Sequence, residues 1–278
     1  MPTAPAAVTL DLWHTLVYLT PAEEERYMQR QFDVAVKALQ EAPARPGVTE
    51  LPPSGLRAAF QREYSAAIAA AQEGRSISPE VQWSRAAEAA GRVARPERYL
   101  TALEEMVQQT PFRAAPEVIP MLDALNRRGY RIAVISNTIG EPGRMLRPMV
   151  TRIGLDAFVT AWVFSDELPW AKPAPEIFAH ALRALGCSAA SAVHVGDGRS
   201  DLEGARRAGM AGAILFTGLQ EYGPAYRALF GPSDGDALPP RFRAERLLEV
   251  VPLVDQILSG DPDRERPATP RPSSVASG

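Results

Sequence analysis

Asp11, Ser136, Lys172 and Asp197 each lie at or just beyond the end of a short apolar run. A carboxylate can act as a nucleophile or hold a divalent cation, and a lysine ammonium can neutralise an anion. Each residue alone is explained as well by a turn, a helix N-cap or an exposed loop charge. Their importance therefore depends on whether one fold brings them together.

The fold that would do this is indicated by a change of pattern along the chain. After Pro111, short apolar runs alternate with helical segments, as in YRIAVIS, PEIFAHALRALG and AVHVGD. Such alternation predicts βαβ units and a parallel sheet covered on both faces. The periodic helix and strand pattern becomes weaker from Gly218 to Phe242, where Gly and Pro are frequent. A last helix is predicted around Pro252, which should interrupt or kink it.

The segment between Pro21 and Gln109 is different, because it is alanine-rich and helical throughout. We therefore expect an α/β, Rossmann-like parallel sheet built from residues 1–18 and 112–260, with an all-helical block inserted at 19–111. Residues 261–278 have no apolar content to bury, which predicts a disordered tail. Ligands of open parallel sheets bind at the carboxyl ends of the strands, where the four polar residues would meet.

The composition argues against several classes of protein. The chain has 278 residues, 46% hydrophobic and 23% charged, with a formal net charge of -3. A nucleic-acid-binding surface would show a clustered basic excess, and no apolar run is long enough to span a bilayer. The start MPTAPAAVTL does not resemble a signal peptide, and the single Cys187 permits no internal disulfide. We expect a cytoplasmic protein with a small-molecule substrate; its oligomeric state stays open.

Two competing interpretations have less support. VHVGDGRSD is faintly similar to a dinucleotide-binding loop, but Asp197 inside it would repel a pyrophosphate. Of the three histidines, His194 is predicted to be a packed core residue and His14 to pack in its loop, while His180 is remote.

The order of four short motifs is far more specific than any single residue. The chain contains Asp11-x-x-x-Thr15, then Ser136-Asn137, then Lys172-Pro173, and finally Gly-Asp197-x-x-x-Asp201. This order resembles the haloacid dehalogenase (HAD) superfamily, over about Val8 to Leu258. The helical insertion resembles the C1-type cap of subfamily I, which implies a hydrolase with a cap at 19–111.

The resemblance implies a role for each motif residue. Asp11 would attack phosphorus and form an aspartyl-phosphate, and Lys172 would neutralise the phosphate and the nucleophile. Ser136 and Asn137 would contact the substrate, and Thr15 would support the loop. Only two of the 30 basic residues are lysines, Lys37 and Lys172, which fits a need for a compact charge at Lys172.

The same resemblance implies a Mg²⁺ cofactor, because attack by an anion on an anion needs neutralisation. The predicted metal ligands are Asp11, the backbone carbonyl of Trp13 and Asp197. Asp201 would orient this shell from outside.

Trp13 departs from the family pattern. Phosphatases of the superfamily usually carry a second aspartate there, which protonates the leaving alcohol and activates water. Three functions stay open: a phosphatase of a small phosphorylated molecule that works without this acid, a dehalogenase or phosphonate-type C–X hydrolase, or a binding protein that has lost catalysis. The intact Asp197–Asp201 pair favours the phosphatase, because dehalogenases work without Mg²⁺.

Overall fold

A computed structural model describes residues 5–219, 221–230 and 241–260. The predicted tail at 261–278 lies outside these residues. The described strands are β1 (Ala7–Leu10), β2 (Val17–Tyr18), β3 (Arg113–Ala114), β4 (Arg131–Ser136), β5 (Ala161–Phe164), β6 (Ala192–Gly196), β7 (Gly212–Phe216) and β8 (Phe242–Ala244). The helices are α1 (Pro21–Glu41), α2 (Pro53–Gln72), α3 (Pro79–Ala89), α4 (Pro96–Gln108), α5 (Val118–Arg127), α6 (Gly143–Arg152), α7 (Pro175–Leu185), α8 (Arg199–Arg207), α9 (Pro224–Phe230) and α10 (Leu247–Ser259).

Six strands form one parallel sheet in the order β5-β4-β1-β6-β7-β8. The central strand β1 is buried along its whole length, as expected for an apolar strand with helices on both faces. One face is covered by α7 and α8, whose apolar side chains include Ile177 and Phe178. The other face packs against α5 and α10. The predicted α/β fold with a parallel sheet is confirmed.

Four helices, α1 to α4, occupy the chain between β2 and β3. Their core is largely aromatic: Phe32, Phe60 and Tyr64 contact one another, and Trp83 stacks on Tyr99. No described element between Pro21 and Gln109 is a strand, as expected. The limits of the predicted domains stay a prediction.

The two chain crossings between the sheet and the four helices lie side by side. β2 and β3 pair antiparallel, with Val17 opposite Ala114 and Tyr18 opposite Arg113. Arg113 also forms a two-point ion pair with Glu23 in the first turn of α1. Hydrogen bonds from Arg113 and Thr20 lower the pKa of Glu23 to about 2.

A helix begins and ends where the sequence predicts when a proline or glycine sets its limit. Pro175 begins α7, where its missing N–H costs nothing, and Gly186 ends it with φ 63°. α10 continues through Pro252, so the expected interruption does not occur. α9, β8 and the β2–β3 pair correspond to no predicted element. None of the described helices combines the length and apolar character needed to cross a membrane.

Candidate functional site

The carboxyl ends of the central strands bring three carboxylates together. Asp11 follows β1 and Asp197 follows β6, while Asp201 lies in the first turn of α8. One carboxylate oxygen from each of the three lies within 4.8 Å of the others, and all three residues are buried. Three carboxylates in one buried cluster can hold a cation, and hard divalent cations prefer such oxygen ligands.

Lys172 supplies positive charge to this cluster from the connection between β5 and α7. Its Nζ donates hydrogen bonds to Asp11 Oδ1 and, at 2.6 Å, to Asp201 Oδ1. Burial alone would lower the pKa of Lys172, but the charges of Asp11 and Asp201 raise it above its ordinary value. The ammonium therefore stays protonated, and three carboxyl groups share this one lysine.

Asp201 is held in place by three donors. Besides Lys172, the backbone N–H of Gly198 donates to its Oδ2 at 3.1 Å, and His194 Nε2 lies 3.0 Å from its Oδ1. Burial would raise the pKa of Asp201, but Lys172 and His194 lower it below its ordinary value. Both oxygens are engaged, which suits a positioning carboxylate.

His194 is buried in β6, as predicted, but it is not an inert core residue. Burial lowers its pKa, so the ring is neutral. Asp201 can only accept, so Nε2 carries the proton and donates it. Nδ1 then accepts from the Thr9 hydroxyl at 2.8 Å. The chain Thr9–His194–Asp201–Lys172 thus orients the lysine beside Asp11.

Burial raises the pKa values of both Asp11 and Asp197, and the charge of Asp201 adds to this. Lys172 opposes the effect at Asp11, and His14 opposes it at Asp197. Tyr222, in the segment after β7, donates a 2.7 Å hydrogen bond to Asp197 Oδ2. A cation between Asp11 and Asp197 would favour the charged form of both groups and so oppose the effects of burial and repulsion.

The two residues of the second predicted motif, Ser136-Asn137, lie in different environments. Ser136 is fully buried at the end of β4, and its Oγ has no hydrogen-bond partner among the described residues. Asn137 is paired with the backbone of Lys172: Nδ2 donates to its carbonyl at 2.9 Å, and Oδ1 accepts from its N–H at 2.8 Å. The Asn137 amide therefore positions Lys172. Thr15 is fully buried, and its hydroxyl also has no described partner.

Trp13 and His14 lie between the cluster and the helical block. Trp13 is partly buried and packs edge-on against Phe112. His14 has a positive φ of 55°, and its Nε2 lies 3.0 Å from Glu24 Oε1 on α1. Glu24 also accepts from the Gly223 N–H at 2.8 Å, so one carboxylate joins the first loop, α1 and the segment before α9.

A cavity of about 640 Å³ connects these residues to the helical block. Asp11, Trp13, Lys172, Asp197 and Asp201 line its sheet end. α1, α2 and the loop after β4 line the opposite wall, to which they contribute Tyr27, Gln31, Tyr64 and Glu141. The size is within the range of small-molecule sites.

Residues 5–209 match the family model described as a haloacid dehalogenase-like hydrolase. This match covers most of the chain, including all four motifs. The chain belongs to the haloacid dehalogenase-like hydrolase family. The resemblance inferred from the four motifs is thereby confirmed, and the protein is a family hydrolase with the cluster described above at its sheet edge.

Several curated relatives of this HAD-like chain are phosphatases. It is 34% identical over 116 residues to a phosphoglycolate phosphatase of Cupriavidus necator, covering 42% of this chain and 48% of the relative. It is 32% identical over 143 residues to a glyceraldehyde 3-phosphate phosphatase of Methanopyrus kandleri, covering 51% and 57%. The matched region spans about half the length of these relatives.

Solved structures agree on the fold. A HAD phosphatase from Thermococcus onnurineus aligns with a TM-score of 0.56 at 20% identity, covering 90% of this chain and 97% of that one. An L-2-haloacid dehalogenase aligns with a TM-score of 0.54 at 17% identity, covering 90% and 99%. Phosphatases and dehalogenases share this fold, so the fold alone does not choose between the two reactions.

The structure brings Asp11, Lys172, Asp197 and Asp201 together and places Trp13 beside them. It encloses Ser136 and engages Asn137 with Lys172. Sequence reasoning missed five residues that line or support the cavity: Glu24, Gln31, Glu141, His194 in its polar role, and Tyr222. A signal existed for Glu141, since it lies in the loop that follows Ser136 at the same sheet edge.

Proposed function

We propose that this HAD-like hydrolase is a Mg²⁺-dependent phosphatase of a small phosphorylated molecule. The observation that carries the proposal is the buried arrangement of Asp11, Asp197 and Asp201 around a single lysine. Phosphatases among the curated relatives support the same reaction. In this proposal residues 19–111 form the cap of the enzyme, and residues 1–18 with 112–260 form its core.

In this proposal Asp11 is the nucleophile. Its Oδ1 accepts from Lys172, while Oδ2 accepts no hydrogen bond from the described residues and is available for attack. Attack on phosphorus breaks the ester P–O bond and forms an aspartyl-phosphate. Water then attacks phosphorus, breaks the bond to Asp11 and releases inorganic phosphate.

The carboxylates fit a divalent cation, because Asp11, Asp197 and Asp201 each place an oxygen within 4.8 Å of the others in a buried cluster. Asp11, Asp197 and the Trp13 carbonyl would hold Mg²⁺, and Asp201 would orient the site through its bonds to Lys172 and Gly198. When bound, the ion would neutralise charge on the phosphoryl oxygens. Lys172 would neutralise the nucleophile and the phosphate together. The buried, unpartnered Ser136 hydroxyl would be a donor to a phosphate oxygen.

Trp13 supplies no proton to the leaving alcohol and takes none from water. The substrate or solvent must do both, which favours esters with acidic leaving groups. The same residue favours a second candidate, a haloacid dehalogenase or phosphonate-type C–X hydrolase, because a departing halide needs no proton.

Turnover on two substrate panels tests these functions. For a phosphatase, we expect phosphate release from p-nitrophenyl phosphate that needs Mg²⁺ and is abolished by Asp11→Asn. Halide release from 2-haloacids that survives EDTA, without phosphate release from any ester, would establish the second candidate. A protein with neither activity would be a binding protein, and the proposal would fail.

A further inference from the structure

Glu141 is a buried carboxyl group in the cavity that the proposed chemistry does not use. It is 5% exposed and forms no ion pair with any described residue. Gln31 Nε2 donates to Glu141 Oε2 at 2.6 Å, and Asp166, the charged group that acts on this carboxyl group, is also acidic. Burial without a cationic partner raises the pKa of Glu141 to about 7, and a cationic ligand in this cavity would stabilise the charged form.

The side chains beside Glu141 suit a cationic ligand at the same wall. Tyr27 is 8% exposed and lines the cavity, and its hydroxyl lies beside the Glu141 carboxyl group, whose pKa it lowers. The Glu141 charge raises the pKa of Tyr27 and of Tyr64, although burial is the larger cause for both. Glu141 therefore lies close to two aromatic side chains, and aromatic rings together with a carboxylate favour an ammonium group.

The loop that carries Glu141 is fixed against the helical block. Gln82 Nε2 on α3 donates to the Ile139 carbonyl at 2.8 Å. Gly140 approaches α1 so closely that a Cβ there would lie 2.4 Å from Gln31 Nε2. The carboxyl group is thus held in position before any ligand binds, which lowers the entropic cost of binding.

The wall formed by α1 and α2 offers no positive charge to an acidic ligand. Among the described cavity residues contributed by α1 and α2, none is lysine, arginine or histidine, and Glu24 is acidic. The basic lining residues His14, Lys172, Arg199 and Arg207 all belong to the sheet end. A leaving group with a carboxylate, such as that of phosphoglycolate, would meet Glu141 without a compensating cation.

We propose that Glu141, with Tyr27 and Gln31, binds a protonated amine on the leaving group, so that the substrate is an aminoalkyl phosphate monoester. This inference rests on the proposed function, because it places the phosphate at Asp11 and the amine at the far wall of the same cavity. Glu141 accepts hydrogen bonds from the ammonium, and the Tyr27 hydroxyl completes the site.

Binding of alkylphosphonates tests the inference without requiring turnover. We would measure, by calorimetry with Mg²⁺ present, ω-aminoalkylphosphonates of two to five carbons beside hydroxyalkyl and carboxyalkyl analogues of equal length. At the best length we expect the amine to bind roughly 10- to 100-fold tighter than the alcohol, the range of a charge-assisted hydrogen bond, and the carboxylate to bind most weakly.

Two variants and a control assign the effect to this wall. Glu141→Gln keeps the shape and removes the charge, so the preference for the amine should disappear; Tyr27→Phe should weaken amine binding less. Glu88→Gln, on the exposed surface of α3, should leave the preference unchanged. Thermal unfolding of each variant checks that it is folded.

The outcomes separate this inference from the proposed function. Amine-selective binding without phosphate release from any ester would support the amine site at Glu141 and reject the phosphatase, and with it the assignment of an aminoalkyl phosphate as substrate. Phosphate release with equal binding of amine and alcohol, an unchanged preference in Glu141→Gln, or no binding by any member of the series would overturn the inference.

Discussion

Trp13 is the residue at which this chain departs from the family's phosphatase pattern. It lines the cavity beside Asp11 and packs edge-on against Phe112, with ring centroids 5.2 Å apart. Its indole can neither donate a proton to an alkoxide nor accept one from water. The proposed phosphatase therefore lacks the side-chain acid–base group that normally assists the two proton transfers.

Replacing Trp13 by aspartate should restore that assistance. General acid–base catalysis commonly contributes about 10²–10⁴-fold, so kcat/KM for alkyl phosphates should rise in Trp13→Asp, while p-nitrophenyl phosphate should change little. Trp13→Asn has nearly the same shape without the titrating group and is the matched control. Equal rates for the Asp and Asn variants would contradict this role for the position.

A second prediction at the scale of one residue concerns Glu141 and the pH dependence of the free energy of unfolding. Burial is the main cause that raises its pKa to about 7 from 4.5; hydrogen bonds from Tyr27 and Gln31 oppose it, and the charge of Asp166 adds to it. Tyr64 on α2 also faces it. The folded protein thus holds a proton that the unfolded chain has already lost.

The sign of the effect follows from that proton. This proton stabilises the folded state fully below pH 4.5, and the stabilisation is lost as pH rises to about 7 and beyond. The loss in the free energy of unfolding is at most about 3 kcal/mol, at about 1.4 kcal/mol per pKa unit. The free energy of unfolding of the wild type should therefore fall relative to Glu141→Gln between pH 5 and 8. Urea titrations at several pH values measure it; parallel pH profiles for the two proteins would refute the assignment.

At the scale of elements, α7 and α8 together position Lys172 and Asp201. α8 approaches α7 so closely at Gly204 that a Cβ there would lie 2.3 Å from Phe178 Cε2 and 3.2 Å from the Pro173 Cα. Pro173 follows Lys172 directly, so spacing between the two helices controls the distance from the lysine to the carboxylates.

Gly204→Ala should therefore damage both stability and the site. Overpacking a close helix contact costs about 1–3 kcal/mol, and displacement of Lys172 should also lower kcat. Arg206→Ala lies on the exposed face of the same helix and should change stability by less than about 0.5 kcal/mol. Denaturant unfolding and phosphatase kinetics of both variants provide the measurement. Wild-type stability in Gly204→Ala would show that the contact relaxes freely.

At the scale of the whole molecule, the site lies where the sheet, the helical block and the segment before α9 meet. Glu24 on α1 contacts His14 and Gly223, and Tyr222 reaches Asp197. A cation bound by Asp11 and Asp197 would therefore stabilise the assembled fold, not a single loop.

Mg²⁺ should raise the melting temperature of the wild type, because a ligand that binds only the folded state adds about 2.7 kcal/mol at 100 times its Kd. Asp197→Asn should remove most of this increase. NaCl at equal ionic strength is the control for screening. A wild-type melting temperature that does not change with Mg²⁺, or an equal increase in Asp197→Asn, would show that Asp197 does not hold the ion.

The sequence determined the fold class, the family and the order of the motif residues. Apolar runs such as VTL before Asp11 predict buried strands, and Pro175 and Gly186 fix the ends of α7 through local backbone chemistry. The carboxyl ends of parallel strands share one edge, so Asp11 and Asp197 could be placed together without coordinates.

The tertiary structure alone decided what surrounds those residues. Glu141 and Gln31 are 110 positions apart in sequence, and His194 and Thr9 are 185 apart, yet each pair shares a hydrogen bond. Periodicity reports which face of an element is buried, but not which residue of a distant element lies opposite. That depends on helix crossings and loop paths, which are set by packing of the whole chain. Trp13 could therefore be recognised from the sequence as a departure from the family pattern, and Glu141 could be placed near the sheet edge, but its contacts with Gln31 and Tyr27 could not be predicted.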